Sequence, residues 1–92
     1  MGEKMTWRDK TLGQVLRGTS DANISFDRLC SLLRRLGFES RTRASHHIFT
    51  RSDIVEILGL HLKGSQAKPY QVKQVRNLVL KYKLGNEAND EV

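Results

Sequence analysis

Two consecutive histidines, His46 and His47, lie within Arg43-Ala44-Ser45-His46-His47-Ile48-Phe49-Thr50-Arg51, a stretch that begins and ends with arginine. An unperturbed imidazole titrates at about 6.5, so near neutrality it can take up or release a proton. Flanking guanidinium groups attract phosphate. These residue types together suit proton transfer on a phosphodiester. The alternative is an ordinary pair of surface histidines on a polar strand. A third histidine, His61, falls in a second alternating segment. Metal chelation fits poorly, because consecutive strand residues point to opposite faces and His46 and His47 therefore cannot grip one ion. His61 has no carboxylate or cysteine clustered with it. No metal or small-molecule cofactor is expected.

Ninety-two residues with an apolar fraction of 38% supply one modest core and one domain. The single cysteine, Cys30, excludes an intramolecular disulfide and lies among apolar helix positions, where a thiol acts as a small hydrophobe. No apolar run approaches a membrane span, and the start lacks a secretory apolar region, so a soluble, cytoplasmic protein is expected. The formal charge is +6, and its distribution says more than its size. Residues 66–84 carry Lys68, Lys73, Arg76, Lys81 and Lys83 without an acid, while Glu87, Asp90 and Glu91 cluster at the end. Basic charge on this segment and on the histidine strand suits nucleic acid, through counterion release, and the equal alternative on charge alone is a solvated helix face.

The elements that must position the histidines follow from periodicity. Leu12, Val15 and Leu16 after Thr11 give about two helical turns before Gly18, in an N-terminal extension over 1–23 that also holds Trp7. Phe26, Leu29, Cys30, Leu33 and Leu36 form a helical stripe, with Ser25 as N-cap and Gly37 past the end. Strands are predicted from Phe38 to Arg43, from Ser45 to Arg51 and from Val55 to Leu62, followed by a flexible basic loop over Lys63–Lys68. Pro69 then opens a helix striped by Val72, Val75, Leu78, Val79 and Tyr82, and 86–92 is a polar tail. The result is an α+β domain of order α-β-β-β-α, with a three-stranded antiparallel sheet and both helices on one face. This is the double-stranded-RNA-binding arrangement, preceded by a short helix. Alternation groups His46 with Ile48 and His47 with Phe49. Either Ile48 or Phe49 could be the buried member, so the pattern does not say which histidine faces solvent. His61 alternates with leucines and should point away from the helices.

Leu33-Arg34-Arg35-Leu36-Gly37-Phe38-Glu39, a short basic gap and then Ser45-His46-His47-Ile48-Phe49 resemble the HicA family of toxin ribonucleases. That family has a leucine-rich helix ending in Gly-Phe, then Gly-Ser-His on the second strand. His61 and the helix containing Gln71-Val72-Lys73-Gln74-Val75-Arg76 extend the resemblance over about two-thirds of the chain. The family glycine is Ala44 here, where a methyl group restricts backbone dihedrals or crowds a ligand. The N-terminal extension is outside the family's minimal pattern. The resemblance implies a 24–85 RNA-binding ribonuclease domain that cleaves messenger RNA without a metal and is neutralised by a HicB-type antitoxin protein. It selects His46 as the catalytic histidine.

In such a reaction a neutral His46 takes the proton from a ribose 2′-hydroxyl, which then attacks its own phosphorus. Arg43, Lys63 and Lys68 are candidates to stabilise the charge that builds up, with Ser45 and Lys73 as further RNA contacts. His61, Lys63 or water could protonate the leaving oxygen, and His61 ranks second as a site residue. Two other readings compete. One is a non-catalytic binding module for double-stranded RNA, although Lys68 and Lys73 are more dispersed than a lysine cluster at the last helix would require. The other is an adaptor whose basic face docks an acidic protein, with Trp7 and the Leu12, Val15 and Leu16 stripe helping to hold the partner.

Overall fold

Helix formation around residue 30 is set by its two ends. The computed structural model, which describes residues 9–62 and 64–84, has α1 at Lys10–Arg17, a 3₁₀ turn at Asp21–Asn23 and α2 at Phe26–Arg35. Then come β1 at Glu39–Arg43, β2 at His46–Arg51, β3 at Ile54–His61 and α3 at Pro69–Tyr82. Trp7, Lys63 and the 86–92 tail lie outside the described residues. The Ser25 hydroxyl accepts the Arg28 N–H at 3.2 Å, pairing a donor that the first helical turn leaves free. At the other end Gly37 takes φ 95°. Its N–H donates to the Arg34 carbonyl, and the Phe38 N–H donates to the Leu33 carbonyl, both at 3.0 Å. This is the Schellman ending, which places a left-handed residue after the cap and an apolar contact beyond it. Leu33 and Phe38, both buried, occupy the positions of that contact. Leu-Gly-Phe thus steers the chain from α2 into β1.

The strands form one antiparallel sheet in the order β1-β2-β3, as expected for this α+β layout. Both long helices cover the same face. His47 packs edge-on against Phe26 of α2 and is paired with Leu60 across the ladder. Leu60 shares its side of β3 with Glu56, which is hydrogen-bonded by Lys81 and Tyr82 of α3. Leu12, Phe26, Leu33, Phe49, Leu60 and Val75 belong to a single buried cluster. No helix among the described residues is long and apolar enough to cross a membrane.

Two segments differ from the sequence expectation. Leu12 and Val15 have no exposed surface, so α1 helps close the main core and those side chains cannot hold a partner; only Leu16 of the stripe is exposed. Asp9 caps α1 through the Leu12 N–H at 3.1 Å and receives two hydrogen bonds from Arg35 of α2, at 2.8 and 3.0 Å. The Arg76 guanidinium donates to the Val15 carbonyl at 3.2 Å and the Asp21 carboxylate at 2.9 Å, which joins α1, the 3₁₀ turn and α3. The segment expected as a flexible basic loop is pinned over its described part. The Ser65 carbonyl accepts from Phe26 N–H at 2.9 Å, and Ala67 N–H donates to the Ile24 carbonyl at 2.8 Å.

Glu56 accepts from the Lys81 ammonium at 2.6 Å and the Tyr82 hydroxyl at 2.5 Å. Those two bonds, Lys81 first, hold its carboxyl at about 2, against an ordinary 4.5. A pKa that is lower in the folded state stabilises above the unfolded value and loses that contribution as pH falls through the folded one. Glu56→Gln should therefore lower the thermal midpoint at pH 7. The gap from wild type should close between pH 4.5 and pH 2 in a series of melting curves. A gap independent of pH would show that the contact contributes no charge-dependent stability.

Candidate functional site

β2 alternates about its one fully buried residue, Phe49. Phe49 points toward the helices, so His47 and Arg51 point that way too, while His46, Ile48 and Thr50 take the open face. His47 accordingly sits edge-on to Phe26 at a centroid distance of 5.0 Å, with its Nδ1 3.4 Å from the Thr42 hydroxyl. The ambiguity left by the sequence is decided by which of Ile48 and Phe49 the helices cover.

Strand register then assembles the site. Arg43, His46 and His61 form one row across the open face, and Arg41, Ile48 and Gly59 form the next. The two imidazoles of the first row have centroids 4.5 Å apart and planes inclined at 37°. His46 is exposed and His61 half-buried. Ser45, in the two-residue turn between β1 and β2, places its hydroxyl oxygen 2.8 Å from His61 Nε2. The Leu62 N–H donates to the Ser45 carbonyl at 2.9 Å, extending the ladder by one bond and holding the turn beside His61. On the opposite face, Gln71 has no exposed surface. Its amide donates to the His61 carbonyl at 3.2 Å, and its oxygen accepts the Lys68 N–H at 3.2 Å. His61 is thus held at its ring by Ser45 and at its backbone by α3.

The remaining sequence candidates separate. Arg43 is exposed in the histidine row. Lys68 caps α3, whose first turn Gln71 ties to the end of β3. Lys73 is exposed on α3, which lies behind the sheet, so it is not gathered beside His46. Part of the basic segment is neutralised within the chain, since Arg76 pairs with Asp21 and Lys81 with Glu56. Arg41, Gln71 and Gly59 were not picked out as site residues from the sequence. Arg41 could have been, because it is two residues before Arg43 on the same strand face. Gln71 lies three residues after the cap position Lys68, the spacing of a helix-start box, but the absence of a Ser or Thr cap masks that signal. Gly59 is a mid-strand glycine with no internal packing reason, since an added Cβ would meet nothing within 4 Å. It leaves the floor beside His61 bare, as where another chain approaches closely. Glu39, Arg41, Ile48 and Thr50 border a shallow hollow of about 230 Å³ that continues this face.

The arrangement can move protons and attract phosphate. Two imidazoles share a face with Arg41 and Arg43, and neither arginine is in an ion pair with another described residue. No group of three or more His, Cys, Asp or Glu that could hold a metal occurs among the described residues. Burial pushes the Cys30 thiol up to about 11, so it is no nucleophile at neutral pH. No family model matches the chain, and no curated protein or solved structure matches it either.

Ala44, first of the two turn residues, has φ 55°, in the region that favours glycine. A side chain there costs about 1–2 kcal/mol, partly offset by the greater unfolded-state freedom of glycine. Ala44→Gly should therefore raise the unfolding free energy by about 0.5–1 kcal/mol in urea titrations. A decrease would mean that the methyl group supports the turn.

Proposed function

We propose that this chain is a HicA-type toxin: an endoribonuclease that cleaves messenger RNA without a metal and is restrained by a HicB-type antitoxin. The observation that carries the reading is His46 standing exposed on the open sheet face, in one row with Arg43 and His61. Neutral His46 removes the 2′-hydroxyl proton, the 2′ oxygen attacks phosphorus, and the strand separates into a 2′,3′-cyclic phosphate and a 5′-hydroxyl. Arg43, with Arg41 in the adjacent row, stabilises the added negative charge as the pentacoordinate phosphorus forms. The antitoxin in this reading presents an acidic surface to the same two arginines and covers His46.

Purified protein should cleave single-stranded RNA in EDTA and leave cyclic-phosphate ends. His46→Ala should slow cleavage about 10²–10⁴-fold with an unchanged melting temperature. His47→Ala, which removes the ring packed on Phe26, should lower the melting temperature and spare cleavage. RNA bound but returned intact by the wild-type protein would favour the non-catalytic binding module. Cleavage undiminished in His46→Ala would remove that residue from the mechanism.

A further inference from the structure

We infer that His61 is the proton donor to the departing 5′ oxygen, with Ser45 and Gln71 as the residues that position it. This rests on the ribonuclease reading above and supplies the acid that reading leaves open. In the cleavage step the P–O2′ bond forms, the P–O5′ bond breaks, and the 2′ proton passes to His46. The 5′ oxygen would leave as an alkoxide, a poor leaving group, unless a donor protonates it as the bond breaks. Such a donor must stand on the face that holds His46 and must give up its proton readily near neutrality. Guanidinium groups hold theirs too tightly. The chain has three histidines, and His47 is turned away beneath Phe26. His61 remains.

Its geometry suits the task. The His61 ring lies alongside that of His46, 4.5 Å away and inclined at 37°, close enough for one phosphodiester laid along the row to meet both rings. Ser45 engages Nε2 at 2.8 Å. A hydroxyl both donates and accepts, so this contact persists whether the His61 ring carries one proton or two. It leaves Nδ1 as the nitrogen that delivers the proton to the 5′ oxygen. Gln71 fixes the His61 carbonyl from the buried side. After the step His61 is neutral and His46 protonated, and exchange with water restores both.

The test compares an oligoribonucleotide with the same strand carrying sulfur at the bridging 5′ position of one linkage, since a thiolate leaves without a proton. His61→Ala should slow cleavage of the oxygen substrate about 10²–10⁴-fold yet cleave the sulfur substrate at close to the wild-type rate. His61→Gln keeps a hydrogen-bonding amide near Ser45; it should do the same with a wild-type melting curve. Ser45→Ala should lose about tenfold on the oxygen substrate only, and Ser45→Thr should recover it. His46→Ala should be slow on both substrates. Equal losses on both substrates for the His61 variants, or none on the oxygen substrate, would overturn the assignment while leaving the ribonuclease reading intact. Wild-type protein that leaves both substrates whole would end both.

Discussion

Phe49 has no exposed surface, and the two-residue pleat of β2 passes that constraint to every neighbouring side chain. Full burial of an aromatic ring is worth about 1.5–3 kcal/mol. Ile48 would gain a comparable amount, so the face is set by which of the two side chains the helices accommodate. A slip of one residue would expose Phe49, carry His46 beneath the helices and bring His47 into solvent. The burial of Phe49 therefore goes with His46 on the open face and His47 beneath the helices. The ladder then sets Arg43 and His61 on either side of His46.

The remaining elements keep that row in place. The Schellman ending at Gly37 aims β1, and Arg51 donates to the Leu36 carbonyl at 2.8 Å, tying the end of β2 to the same corner. Gln71 is more consequential than its single side chain suggests. It closes the start of α3 and the end of β3 together, so the packing of α3 bears directly on where the His61 backbone lies. α1 and the 3₁₀ turn serve the far side, where Arg35, Asp9, Arg76 and Asp21 join the helices by paired charges. The open face is covered by no helix among the described residues. It presents arginine, imidazole and a bare glycine, with exposed Val55 and Ile57 farther along β3.

The helices and strands were legible because their apolar periods agree with their end signals. Ser25 and Gly37 bracket one stripe and Pro69 opens the other, so local chemistry and burial give the same answer. The pleat phase of β2 was not legible, since Ile48 and Phe49 are adjacent apolar residues and only the helices above decide which is covered. The link from Ser45 to His61 depends on register across sixteen residues, which alternation alone does not carry. α1 read as an extension because eight residues have too few apolar positions to reveal that Leu12 and Val15 complete a core built elsewhere. The segment after β3 read as flexible because glycine, serine and lysine suit a free loop, yet its backbone is bonded to residues 24 and 26.

The central claim is that RNA meets the open face of the sheet at His46. Two-dimensional nitrogen–proton spectra, recorded as a 2′-O-methyl oligonucleotide that cannot be cleaved is added, test this most directly. The account predicts shifts concentrated at Arg41, Arg43, His46, Gly59 and His61, with Lys73 on α3 unaffected. Shifts confined to the α3 surface, with the histidine row unmoved, would contradict it.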